Sequence, residues 1–184
     1  MSLVRFLRKK EKWQNIIMLK KNGTCCLLGA IEPLQGKRFT KVYAQRTKKE
    51  YTLFMQDLSK MYPNLIKIRL VQDNLNTHNF SSFYENLPAE EAYKLAQRFE
   101  LHHTPKSASW LNMIEIEFSA LSKQCLNRRI STQKLLESEI EAIVKERNNK
   151  QIKINWQFSI KTARNTMNSK YNIVNQENIK YQVT

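Results

Sequence analysis

The chain has 184 residues, enough for one domain with a real hydrophobic core. It carries 31 Lys and Arg against 16 Asp and Glu, a formal net charge of +15. That balance argues against an enzyme of small molecules and for a polyphosphate partner, because each neutralised phosphate releases counterions; the richness in Asn, Lys and Ile also fits genome base bias. The three cysteines, Cys25, Cys26 and Cys125, are odd in number and form no Cys-x-x-Cys, so reduced thiols are expected rather than disulfides or a zinc site. No apolar run approaches the roughly 18–20 residues of a membrane span. In Met1 to Lys10 the basic residues follow the short apolar patch, the reverse of a secretory signal. The expectation is a cytoplasmic chain with no membrane partner.

In chain order, Asn22-Gly23 marks a turn. Cys25 to Glu32 reads as a buried strand, Pro33-Leu34-Gln35-Gly36 as a turn, and Arg38 to Ala44 as a second, alternating strand; together they predict a hairpin. Thr47, with Glu50 three residues on, forms a capping box. The helix it opens carries Tyr51, Phe54, Met55 and Leu58 on one face and stops at Tyr62-Pro63-Asn64. Ile66 to Gln72 predicts a strand closed by Asp73. Asn79 to Asn86 predicts a short helix. Pro88 starts another over Ala89 to Arg98, with Ala92, Leu95 and Ala96 on one face. Phe99 to His102 predicts a short strand. Trp110 to Asn127 predicts a helix with Ile114, Phe118, Leu121 and Leu126 inward. Ser131 to Arg147 is amphipathic through Leu135, Leu136, Ile140, Ile143 and Val144, and Ser159 to Tyr171 predicts a last helix. Alternating strands and helices imply an α/β domain.

Two acids sit where chemistry needs them. Asp73 ends an apolar strand and Glu115 starts a helix, the placement that offers carboxylate oxygens to hard divalent cations. A strand-ending Asp also caps turns. Glu117 is the rival of Glu115, but two residues apart on a helix they point roughly 200° from each other. Glu117 is expected on the solvated face. His78 is placed to orient a phosphate or a water, or simply to cap a turn. His102 and His103 face opposite sides of their strand and receive no metal role.

The segment Asp73-Asn74-Leu75-Asn76-Thr77-His78, with Asn112-Met113-Ile114-Glu115, resembles the DDE transposases, in particular the mariner-related insertion-sequence 630 family. The resemblance runs from about residue 22 to 174, leaving 1–21 as a basic N-terminal segment and 175–184 as a tail. It implies a ribonuclease-H-like fold, a mixed sheet with flanking helices. It implies Asp73 and Glu115 as the second and third catalytic acids, lying close enough to share two Mg2+ or Mn2+ ions. It implies DNA, both transposon ends and target, as partner, together with another transposase chain. Lys106, Trp110, Arg128 and Arg129 join His78 as candidate DNA contacts, and Lys37, Arg38, Lys41, Arg46, Lys48 and Lys49 as candidate phosphate contacts.

The family's first catalytic Asp has no match here. The acid that precedes Asn22 is Glu11, set among lysines. The chain thus reads as the C-terminal part of a transposase, truncated before that Asp, short of its first central strand and inactive alone. It is either a remnant or a split-frame product. Trp13 to Leu19, with its Ile16, Ile17, Met18 and Leu19, is a candidate to fill part of the gap. Beside this stand a non-catalytic DNA-binding or inhibitory transposase-derived protein, and an RNA-binding basic protein, against which the clustered motifs argue.

Overall fold

A computed structural model describes residues 25–104, 112–128, 130–156, 159, 161–162 and 164–165. The expectations for Glu11, for Trp13 to Leu19, for Lys106, Trp110 and Arg129, and for most of the last helix lie outside these residues. The elements are β1 (Cys26–Glu32), β2 (Lys37–Tyr43), α1 (Lys48–Lys60), β3 (Ile68–Gln72), α2 (Ser81–Asn86), α3 (Ala89–Gln97), β4 (Phe99–His103), α4 (Ile114–Gln124) and α5 (Gln133–Asn149). All belong to one compact unit that ends at Ile154. In the second unit, from Asn155, the Ser159 hydroxyl accepts from Thr162 N at 3.1 Å, a cap of the kind that opens helices.

Among the described residues the strands form two pairs. β1 and β2 are antiparallel, with Cys26 opposite Tyr43 and Glu32 opposite Lys37. β3 and β4 are parallel, with Ile68 opposite Phe99 and Gln72 opposite His103. The hairpin has a core on each face, because successive strand residues point to opposite sides. Cys26 and Leu28 join Tyr51, Phe54, Met55, Leu58, Phe83, Ala92, Leu95 and Phe99, a cluster under α1, α2 and α3. Leu27 and Val42 join Ile114, Phe118, Leu121, Leu136, Ile140 and Val144 under α4 and α5. This double burial is why β1 reads as a continuous apolar run. Ile68 and Leu70 pack on the first cluster, which therefore spans both strand pairs.

The helix at Lys48 opens as expected. Thr47 N donates to Glu50 Oε2 at 3.0 Å and Thr47 Oγ1 accepts from Lys49 N at 3.2 Å. Its four expected apolar residues are all buried, each worth about 1.5–3 kcal/mol against exposure. Some boundaries moved. β3 starts at Ile68 because Ile66 is 93 % exposed and unpaired in the strand register. α4 stops at Gln124, where Cys125 N and Leu126 N both close on Leu121 O, and Leu126 is only half-buried. Leu135 is largely exposed, so the inward stripe of α5 is Leu136, Ile140 and Val144. Burial pushes the Cys26 thiol up to about 11 and raises Cys25 and Cys125 as well. Burial thus favours the protonated form of all three thiols.

The hairpin turn is clamped to the end of α5. Asn148 closes the outer edge of β2 by pairing both backbone groups of Arg38, at 2.8 and 2.9 Å. A side-chain amide here does what a neighbouring strand would do, and blocks extension of the sheet on that side. Gly36 has φ +69°, and a Cβ there would lie 2.6 Å from the Gln151 carbonyl carbon. Gly36→Ala is accordingly expected to lower stability by about 2–3 kcal/mol, from left-handed strain plus the backbone clash. Urea unfolding followed by circular dichroism measures it; a change under about 0.5 kcal/mol, the size of an ordinary surface substitution, contradicts the clamp.

Candidate active site

Asp73 follows the last residue of β3, at the carboxyl end of a parallel strand pair. Parallel strands present loops there, clear of the ladder, where ligands bind in open α/β sheets. The loop after Asp73 folds back on itself: Leu75 N bonds Asp73 O and His78 N bonds Leu75 O, both at 2.9 Å. The fold-back brings the His78 ring to the carboxylate, with Nδ1 2.8 Å from Asp73 Oδ1. The Asp73 side chain keeps 19 % of its surface exposed, while that of His78 keeps 1 %.

A buried network fixes this loop. Gln72 Nε2 donates to His78 O at 2.7 Å, and His103 Nε2 lies 2.9 Å from the same oxygen. Tyr51 donates its hydroxyl to Gln72 Oε1 at 3.0 Å and stacks on the His78 ring, centroids 4.8 Å apart. Burial chiefly, with the Asp73 charge adding, holds the Tyr51 hydroxyl above the usual phenol range, so it stays a neutral donor. Ser82 Oγ donates to Thr77 O, and Thr52 Oγ1 donates to Ser82 O. These bonds tie α1, α2 and the Asp73 loop into one block.

Glu115 lies in the first turn of α4 and is half-buried. Asn112 opens that turn: it is buried, its carbonyl accepts from Glu115 N at 3.0 Å, and its side-chain oxygen lies 3.4 Å from Ile114 N. The helix packs closely on the hairpin at Gly29, where a Cβ would come within 3.0 Å of the Phe118 ring. Glu115, Ile116, Ser119, Ala120, Lys123 and Gln124 line a shallow groove along its outer side.

Glu117 is not on a solvated face, as the sequence reading expected. It is fully buried and binds two arginines. Arg38 Nε lies 2.8 Å from Glu117 Oε1. Arg147 reaches both Glu117 oxygens, at 2.8 and 3.1 Å. Arg38 also donates to the carbonyls of Gly36 and Ile152. Arg38, itself buried, is therefore no phosphate contact. The knot joins β2, α4 and α5, and so holds the helix that carries Glu115.

The other expected residues fall as follows. His78 is buried, against Asp73 and Tyr51. Arg128 pairs with Glu139 yet keeps 62 % of its side chain exposed. Such surface pairs are worth about 0–1 kcal/mol. Lys48 and Lys41 likewise pair at the surface, with Glu85 and Asp57. His102 pairs with Glu100 on the exposed side, and His103 turns to the Asp73 loop. Sequence reasoning missed Gln72, Tyr51 and Asn148 as site or edge residues. The inward register of Gln72, directly before Asp73, was the available signal.

Among the described residues no group of three or more His, Cys, Asp or Glu side chains converges to hold a metal ion. The carboxylate of Asp73, partly exposed on an anchored loop, has the donor chemistry that suits a hard cation. Residues 5–137, well over half the chain, match the family described as DDE superfamily endonuclease. The chain belongs to that family. DDE superfamily endonucleases act on DNA, which accords with the strong positive charge, and generally use divalent metal ions. The matched range contains both Asp73 and Glu115 and begins upstream of Asn22. The mixed α/β arrangement is consistent with a DDE nuclease domain. No curated protein and no solved structure matches the chain. No helix among the described residues is long and apolar enough to cross a membrane.

Proposed function

We propose that this chain is the C-terminal catalytic-domain part of a DNA transposase of the insertion-sequence 630, mariner-related kind, with a ribonuclease-H-like sheet. The observation that carries the reading is Asp73, set at the carboxyl end of β3 within the family match and braced by His78. Asp73 and Glu115 are the residues that would hold Mg2+ or Mn2+. The bound ions would activate the attacking oxygen and stabilise the leaving oxygen of a phosphodiester. The chain's own part is to hold the Asp73 carboxylate at the strand end and to seat α4 on the hairpin through Gly29 and the Glu117 knot. A Mn2+ titration followed by electron paramagnetic resonance tests the assignment. Asp73→Asn is expected to lose binding; an affinity unchanged from the parent chain sinks it.

The proposed partner is DNA at transposon ends and target, together with another transposase chain. The reading assigns two acids, Asp73 and Glu115, to the ions, and turnover by the chain alone is not expected on it. The domain boundaries proposed are 22–174 for the partial catalytic domain, between the N-terminal segment and the tail.

Binding to DNA is expected to be weak, sequence-tolerant and salt-sensitive. Affinity should fall about 100-fold between 50 and 200 mM salt, corresponding to roughly four phosphate contacts. A fluorescence titration with two unrelated duplexes reads it. Affinity indifferent to salt, or strongly favouring one duplex, contradicts the reading.

A further inference from the structure

The His78 ring is one of the most deeply buried polar groups in the molecule, yet it touches the one carboxylate that the loop leaves partly open. Its Nδ1 lies 2.8 Å from Asp73 Oδ1. Its other nitrogen, Nε2, is buried without a hydrogen-bond partner among the described residues. A carboxylate oxygen only accepts, so Nδ1 must carry the proton and donate.

The ring cannot turn away. Tyr51 stacks on one face, with 21° between the planes. The backbone on either side is anchored as well: His78 N bonds Leu75 O, and His78 O lies within bonding distance of Gln72 and His103. The imidazole is thus a rigid donor aimed at one oxygen of Asp73. It occupies Oδ1 of a carboxylate whose side chain keeps 19 % of its surface exposed.

We propose that His78 is a positioning residue: its Nδ1–H locks the Asp73 carboxylate in a single rotamer, so that Oδ2 is presented to a divalent cation. This rests on the reading above that Asp73 is a metal ligand. Outer partners of a metal ligand act in this way, and removing one typically weakens metal binding roughly 10–100-fold.

Two substitutions separate positioning from packing. His78→Phe keeps the ring and its stack on Tyr51 but removes the donor. His78→Asn removes the ring but places an amide N–H close to where Nδ1–H stood. Mn2+ affinity of the full chain is measured by electron paramagnetic resonance, with circular dichroism to confirm folding. The expected result is a loss of roughly 10–100-fold for His78→Phe, and an affinity for His78→Asn within about 3-fold of the parent. If His78→Phe binds Mn2+ like the parent, or His78→Asn loses as much as His78→Phe, the ring serves packing and the proposal is overturned. Should His78→Phe fail to fold, His78→Ala takes its place: a deficit in His78→Ala that His78→Asn repairs supports the proposal, and equal affinities overturn it. Asp73→Asn in the same titration guards the premise. If it binds Mn2+ as tightly as the parent, the ion is elsewhere and the assignment of Asp73 fails, whatever the His78 variants do.

Discussion

Glu117→Ala is expected to destabilise the domain by about 3–5 kcal/mol, the loss typical when one member of a buried ion pair is removed. The carboxylate is fully buried between Arg38, itself with no exposed side-chain surface, and Arg147, 14 % exposed. Removing it leaves a guanidinium in the interior with nothing to balance its charge. Arg38 keeps its two carbonyl acceptors on Gly36 and Ile152, so its hydrogen bonds survive in part while its charge does not. Arg147 can swing toward water and relax. The cost therefore falls mainly on Arg38, and the double variant Arg38→Met, Glu117→Leu is expected to recover most of the stability, because apolar replacement of a buried pair is often neutral. A shift in the thermal midpoint of roughly 10 °C is expected for the single variant, given about 2–4 °C per kcal/mol at this chain length. Thermal and urea unfolding of the parent, the single and the double variants checks it. A single variant within about 0.5 kcal/mol of the parent would mean that Glu117 is solvated in solution and that α4 is held by other contacts.

The same knot shows where sequence reasoning stops. Elements with a strong local signal were legible. The hairpin followed from an apolar run, a Pro-Gly turn and an alternating strand, and the first helix followed from its Thr47–Glu50 box and four apolar residues at helical spacing. Asp73 at a strand end was legible because a run of apolar residues stops there and an Asn-rich loop follows. Glu117 was not, because its partners lie 79 and 30 residues away in sequence, and a charged residue on a helix defaults to the solvated face unless partners are known. The surroundings of His78 were out of reach for the same reason: they depend on Tyr51, Gln72 and His103, which the fold gathers from three elements. Arg38 looked like one of several basic residues on a strand. Only the register that turns it toward α4, with Val42 on the same face, removes it from the surface.

The purified chain, incubated with a duplex carrying element ends in Mg2+ or Mn2+, is expected to leave the DNA uncut. Phosphodiester cleavage by two divalent ions needs carboxylates that bridge and flank them, roughly 3.5–4 Å apart. On the proposed reading two such groups are supplied, by Asp73 and Glu115. Two carboxylates carry two negative charges against the four positive charges of two ions, so a second ion finds too little compensation beside the first. Asp73, braced on one oxygen by His78, is suited to one ion with water in its open positions. Weak ion binding without turnover is the combination that follows. With one ion instead of two, either activation of the attacking oxygen or stabilisation of the leaving oxygen would be missing. Losing a single stabilising contact of the latter kind costs about 100- to 1,000-fold in other enzymes, so losing an ion should place cleavage below detection. The assay uses protein freed of host nucleases, with Asp73→Ala in parallel. Nicking by the parent that disappears in Asp73→Ala would mean that a third acid reaches the site, from elsewhere in this chain or from a second copy, and the inactive-fragment reading would have to be given up. Nicking that persists in Asp73→Ala would not involve this site at all. The two outcomes are told apart by Asp73, the residue at the end of β3 and inside the family match to which the proposed function gives the ions.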